Sequence, residues 1–536
     1  MKLQNLLRCG VAAGALAALA TFAAPASAAT PADTLVMAWN IDSIVTFDPA
    51  QTNEVVTNEI ILASCDMLVD YDPADESVII PRFAKSWDVS EDGKTITFHL
   101  QEGAVFPSGN PVTAHDAAWS LQRVSKLGLG NAQSLTEFGF NVDTIEKQIY
   151  ASDDNTLVFQ LDRAYPTNLI LQAIAAYKTA IILDSKTVSA NETDGDFGNK
   201  YLATRTECVG PYKLARWNAG EVVMLEANET YWGDIPKLKR ILIRHVAETG
   251  TQRLLVQQGD VDIARDLTPE DMAVLEAAEG VHLNVQRLPQ LAYWNINNKV
   301  APFDDAKARL ALRYLVDYDG LAGTVMRYIG SPRASYVQLG AVGALDEAEG
   351  RPFSLDLEKA KELLTEAGYP NGFSAKIFIG SHPFGAALAQ SIQQNAAQIG
   401  VTFEIEAMAN AQQNSRVRAK EFETSIQTWL ANVPDAHGMT SRFVVNPDST
   451  GEGNLGGLPV WRTGYHSAEM NALADEALFE RDETKRAQLY REIQLEMLQT
   501  GPVAFLFQLN AVSGISNGLQ NWTQNGMRAY YDKASK

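Results

Sequence analysis

Few residues in this 536-residue chain are spaced for catalysis. Gly514-Ile515-Ser516-Asn517-Gly518 fits the G-x-S-x-G pattern of a serine nucleophile, but that order needs an acid and a histidine after the serine, and the last histidine is His466. A surface turn is the expected structure there. Gly451, Gly453 and Gly456 spell G-x-G-x-x-G, which cradles phosphate only between a strand and a helix. Here the pattern follows "NPDST" and precedes "LPVW", so a flexible polar loop is expected. The histidines at 99, 115, 245, 282, 382, 437 and 466 include no i, i+4 pair, and nothing local suggests a zinc site or a triad. Asp194 and Asp196 lack the downstream glutamate of a calcium loop. The stretch "TWLANVPDAHG", 428–438, is of another kind. It gathers an aromatic, Trp429, an amide, Asn432, an acid, Asp435, and His437 around one proline, with Arg442 just downstream. Asparagine offers two donors and an acceptor without charge, which suits an amide, a hydroxyl or a blocked terminus. Catalytic residues, cofactors and metal ligands are all expected to be absent.

The elements that must position these residues are legible from pattern. "EDG" followed by Ile96, Phe98 and Leu100, alternating with polar residues, predicts a turn and a strand. "TAHD" at 113–116 resembles a capping box and predicts a helix start. Further strands are expected at 155–161 and 221–227. In the second half, Leu357, Ala360, Leu363 and Leu364 share one helix face, with Asp356 as N-cap and Gly368 and Pro370 as the stop. "SAKIFIG", a helix through "LAQSIQQNAAQIG", and "VTFEIEA" then alternate strand with helix, which argues for an α/β lobe with a parallel or mixed sheet. After the long helix in "DETKRAQLYREIQLEMLQT", the apolar "VAFLFQL" is expected to rejoin an earlier sheet. No Gly-, Ser- or Pro-rich linker separates these parts, so short ordered crossings are expected between packed lobes.

The chain begins with Lys2 and Arg8, an apolar run from Val11 to Ala24 and the tripeptide Ala26-Ser27-Ala28, the arrangement of a secretory signal peptide cut after Ala28. The run is shorter than the roughly 20 apolar residues of a spanning helix. Cys9 lies at the start of that run, so a lipidated N-terminus is not supported. The net charge of -21 argues against nucleic acid or an anionic membrane surface as a partner, since both need a basic face. Cys65 and Cys208 remain after cleavage, in a compartment that permits disulfides, and spacing alone does not decide whether they pair. An exported chain of this size without a catalytic signature is expected to bind rather than convert.

Longer blocks carry a resemblance. "PRFAKSWDVSEDGKTITFHLQEGAVFPSGNPVTAHDAAWSLQRV", "CVGPYKLARWNAGEVVMLEANETYWGDIPKLKRILIRHV", "FDDAKARLALRYLVDYDGLAGTVM", "EKAKELLTEAGYPNGF" and "LYREIQLEMLQTGPVAFLF" resemble, in order, the family 5 extracellular solute-binding proteins of peptide and nickel ABC importers. The resemblance implies an α/β, two-lobed periplasmic-binding-protein fold of the class II type with an extra inserted subdomain and a hinge. It divides the chain into a signal peptide (1–28), lobe I (29–70, 201–288 and 500–536), the inserted subdomain (71–200) and lobe II (289–499). It implies a monomer in the periplasm that captures a peptide or peptide-sized polar solute in the interlobe cleft and delivers it to a permease and ATPase complex in the inner membrane. Alternatives are a non-peptide ligand such as an opine, an oligosaccharide or a metal chelate, or a chaperone or enzyme on the same scaffold.

The resemblance also assigns site residues. Aligning Trp429 with the family's tryptophan puts Asn432 where dipeptide binders carry an aspartate for the ligand's α-ammonium group. The arginine that holds the ligand's carboxylate falls near Ala386. Both charged clamps are thus expected to be missing. A buried ammonium left without its carboxylate costs about 3–5 kcal/mol, and about 1.4 kcal/mol is tenfold in affinity. A dipeptide held by its termini should therefore bind about a hundredfold more weakly at such a site. Asp435, His437 and Arg442 are candidates for a replacement charge, and Ser43 and Phe138 for contacts from the facing lobe.

Overall fold

The computed structural model describes residues 30–52, 54–176, 178–431, 433–526 and 528–536. The expected signal peptide and Asn432 lie outside the described residues. The local readings from pattern find counterparts. Strand Thr95–Leu100 buries Ile96, Phe98 and Leu100 on one face. Helix Ala114–Leu127 starts at a Thr113/Asp116 capping box and ends on Gly128 in the left-handed region at φ 61°. Helix Leu357–Glu366 is capped by the Asp356 side chain, which accepts from the Lys359 amide.

Eleven strands form one sheet that runs through the whole molecule. Its two longest members, Val281–Ile296 and Val503–Ser516, lie side by side and antiparallel at its centre. Residues 281–287 pair with 510–516, on the side that continues through Ile263–Ala264, Thr34–Trp39, Arg240–His245, Val222–Ala227 and Tyr212–Asn218. Residues 291–295 pair with 503–508, on the side that continues through Thr424–Leu430, Ser374–Ile379 and Thr402–Ala407. Between these halves the register shifts, from Arg287 to Leu291. The chain therefore passes between halves inside two strands, near 288–290 and near 509, rather than through loops. A polar residue staples this joint. Gln508, 1% exposed, donates from Nε2 to the Leu288 and Leu339 carbonyls (2.9 and 3.1 Å) and accepts at Oε1 from the Leu339 amide (2.8 Å).

Each half has its own core. The first packs Leu35, Met37, Ile241 and Ile243 together with the helix and four-stranded sheet built from residues 84–160. The second packs Trp294, Ile377, Leu388 and Phe403 on one sheet face and Tyr293, Phe443, Tyr490 and Phe505 on the other. Separate cores joined by two continuous strands let the halves rotate about the joint while each stays intact. In the first half, Cys65 and Cys208 form a disulfide with Cα atoms 5.2 Å apart.

Candidate functional site

A cavity of about 450 Å³ opens between the halves. One wall comes from the second half, at the end of strand Thr424–Leu430 and in helix Ala436–Phe443: Trp429, Leu430, Val433, Gly438 and Arg442. Facing them are Gln133 and Glu137, in and just after the single-turn helix Gln133–Thr136 of the first half. The loop residues Asn454, Leu455, Gly457 and Leu458 close the side.

The wall sits beside the joint. Leu430 pairs with Gln290, and the Ala431 amide donates to the Pro289 carbonyl at 2.7 Å, so the end of the strand is tied to the register shift. The next segment is clamped from the other side: the Val342 amide donates to Pro434 (2.9 Å) and the Ala436 amide to Val342 (2.8 Å). Gly343 makes that approach possible, since its φ is 80° and a Cβ there would lie 3.2 Å from the Ala436 Cβ.

Helix Ala436–Phe443 begins at Asp435, whose side chain accepts from the His437 amide at 2.8 Å. Asp435 is only 1% exposed. Both its oxygens are held by Arg486, at 2.7 and 2.8 Å, in a bidentate fork. Asp435 is therefore not a spare acid for a ligand. Against the desolvation that lowers it, Asp435 holds the Arg486 guanidinium above its ordinary pKa. His437 packs behind it, Nδ1 3.1 Å from the Tyr490 hydroxyl. Burial pushes the His437 pKa down to about 4, against the pull of Asp435, so the ring is neutral at pH 7.

Arg442, in the last turn of the same helix, reaches across the cavity and binds Glu137 Oε1. Gln133 Nε2 donates to that same oxygen at 2.8 Å. Burial pushes the Glu137 carboxyl pKa up, and Arg442 and Gln133 oppose it. The helix bearing Gln133 is fixed from below: buried Asn131 donates to the Pro49 and Thr52 carbonyls at 2.7 and 3.2 Å. A second contact joins the same two parts, with Phe479 5.3 Å from the Tyr165 ring and 5.0 Å from the Arg163 guanidinium.

Of the other residues singled out from sequence, Trp429 lines the cavity and stands edge-on to Phe443 at 5.7 Å. Phe138 is 2% exposed and packs edge-on against Tyr165 at 5.4 Å. It belongs to the core, and Glu137 before it does the facing. Ser43 is exposed and is not part of this cavity wall. Ala386 lies exposed in the first turn of helix Gly385–Ala397. Near the start of that helix His382 stacks on Phe384 and places Nε2 3.4 Å from Thr428 Oγ1, one residue before Trp429.

The loop 446–458, expected to be flexible, is instead tightly organised. Asp448 accepts from the Thr450 hydroxyl, from Trp461 Nε1 and from the amides of Thr450, Gly451 and Gly453, bonds that together hold its carboxyl far below the usual range. Lys420 sits 3.4 Å over the Trp461 ring and donates to the Gly451 carbonyl. Arg462 donates to the Gly456 and Gly457 carbonyls from beneath. The sequence signal was Asp448 followed by Thr450, Gly451 and Gly453, an acid placed to collect successive amides. At the other glycine motif, Gly514 to Ser516 finish a long strand and Ser516 Oγ accepts from the Gly518 amide, as in a turn. Among the described residues no three His, Cys, Asp or Glu side chains converge as a metal-holding group, and no helix is long and apolar enough to cross a membrane. What the cavity offers is an aromatic face, aliphatic side chains, amides and one opposed pair of charges, a set suited to enclosing a polar solute.

Comparison with known proteins agrees with this geometry. The chain is 27% identical over 514 residues to the probable D,D-dipeptide-binding periplasmic protein DdpA of Escherichia coli strain K12, covering 95% of each chain. It is 28% identical over 448 residues to heme-binding protein A of Haemophilus influenzae, covering 79% of this chain and 78% of that one. In fold it is similar to the solved structure of HbpA2 from Haemophilus parasuis, with a TM-score of 0.79 at 21% identity over 94% of this chain and 99% of that one. The model of the bacterial extracellular solute-binding proteins, family 5 middle region, matches residues 78–451. A match over most of the chain, on a scaffold with a cavity between two hinged halves, makes this protein a member of the family 5 bacterial extracellular solute-binding proteins.

Proposed function

We propose that this protein is the periplasmic capture subunit of a peptide-type ABC importer, enclosing a peptide or peptide-sized polar solute between its halves and presenting the closed form to a membrane permease. The observation that carries this reading is the cavity of about 450 Å³ walled from both halves beside the joint. Its volume falls within the roughly 300–1,000 Å³ of small-molecule sites. A solute touching both walls favours the closed population by its differential affinity, and that bias is the signal a permease can read. Lobe I is taken as 29–70, 201–288 and the C-terminal segment, the inserted subdomain as 71–200, and lobe II as 289–499 extended to the crossing near 509. Trp429, Leu430 and Val433 offer surface for apolar side chains, while Asn454 offers an amide for a peptide backbone. The D,D-dipeptide relative, aligned over 95% of both chains, supports a short peptide as the ligand class. The protein is taken to act as a monomer after export and to carry no catalytic activity.

A thermal-shift screen of the exported protein against peptides, opines, sugars and metal chelates tests this. Short peptides should raise the melting temperature in a concentration-dependent manner. A rise with sugars or chelates alone, or with none of the classes, would overturn the peptide reading.

A further inference from the structure

The pair Glu137–Arg442 does not use the full bonding capacity of either partner. Both hydrogen bonds to the carboxylate, from Arg442 Nη2 and from Gln133 Nε2, land on Oε1. Among the described residues Oε2 accepts none, and the Arg442 Nε and Nη1 donors have no protein acceptor. Both side chains keep contact with solvent in the cavity, at 28% and 17% exposure. A guanidinium presents a planar fork matched to a carboxylate. Here that fork is engaged at one prong only. Among the described residues the pair is also the one place where opposite charges from the two halves meet in the cavity wall.

Resting on the peptide reading above, we infer that Glu137 and Arg442 are the charge-recognition residues of the site, Glu137 taking the ammonium end and Arg442 the carboxylate end of a zwitterionic peptide that separates the pair as it binds. Each partner then exchanges one opposite charge for another, so neither is left uncompensated. A singly charged solute separates the pair as well, but strands one partner in a partly desolvated wall, which is the costly outcome. The cavity is thereby selective for solutes carrying both charges. Gln133 remains bonded to Glu137 Oε1 and orients it; it is a positioning residue.

The test uses the exported full chain and three forms of one tripeptide mixture: free, N-acetylated and C-amidated. Thermal shift selects the tightest peptides and calorimetry gives their affinities. Wild type should bind free peptides at least tenfold more tightly than either blocked form. Glu137→Gln should lose the preference for a free amino terminus while keeping that for a free carboxylate, and Arg442→Gln should do the reverse. Glu137→Asp, which keeps the charge, should restore part of the amino-terminal preference, a recovery that a folding defect would not give. Equal binding of free and blocked peptides by wild type, or full discrimination retained in both variants, overturns this inference and leaves the peptide reading standing. No binding of any form removes the peptide reading and this inference with it.

Discussion

Two carboxylate–guanidinium pairs flank one eight-residue helix, Ala436–Phe443, and they do opposite things. At its N-terminus, Asp435 and Arg486 are both in the second half, both buried, and joined by two bonds of 2.7 and 2.8 Å. At its C-terminus, Arg442 meets Glu137 from the other half, through one carboxylate oxygen, with both groups partly exposed. The first pair leaves little room for a competitor, because the guanidinium holds both Asp435 oxygens and Oδ1 also accepts from the His437 amide. The second is open to one. A charge near a cavity is therefore no guide to its role; what distinguishes the pairs is whether the partner lies in the same rigid body and whether bonding capacity is left over.

The largest expected effect breaks the buried pair. Arg486→Met leaves Asp435 as an uncompensated buried charge and should cost about 3–5 kcal/mol of folding stability, read by chemical denaturation. A loss below about 1 kcal/mol would mean that the fork is as replaceable as a surface pair.

A smaller effect sharpens the comparison from behind. His437 is neutral in the folded chain, with its pKa lowered from 6.5 to about 4 by burial. The unfolded chain binds the proton first as pH falls, so this residue's contribution is complete above pH 6.5, is lost progressively between 6.5 and 4, and changes no further below. His437→Gln, which retains a polar atom for Tyr490, should flatten the fall in melting temperature between pH 7 and pH 4.5. An unchanged profile would show that other groups carry the acid sensitivity.

The smallest stability effect should come from the open pair. Glu137→Gln should cost less folding stability than Arg486→Met, about 1–2 kcal/mol, between the ranges of exposed and buried pairs, while altering which peptides bind. A loss as large as that of Arg486→Met would place Glu137–Arg442 with the structural pairs.

The fold was legible in the sequence because its elements are locally consistent: period-2 strands, capping residues and a glycine stop each agree with the structure they produce. Two features were not. The crossings lie within long strands, and a strand continuing through a joint has the same alternation as one that ends there. The loop 446–458 has the composition of a flexible segment, and its order comes from Asp448, Arg462 and Lys420 acting together. The candidate site was partly legible. Trp429 and Arg442 line the cavity. Phe138 and Glu137 are neighbours, and a one-turn helix gives no periodicity to tell the buried residue from the facing one. Asp435 lost its availability to a residue 51 positions away, which local pattern does not reveal.

A double-mutant cycle with and without peptide tests the distinction most directly. Thermal denaturation would be followed for Glu137→Gln, Arg442→Gln and their combination, and in parallel for Asp435→Asn, Arg486→Met and theirs, each free and with saturating tripeptide. The account predicts a coupling between Asp435 and Arg486 that is large and indifferent to peptide, and a coupling between Glu137 and Arg442 that is small and falls toward zero when peptide is bound. A Glu137–Arg442 coupling unchanged by saturating peptide would contradict it.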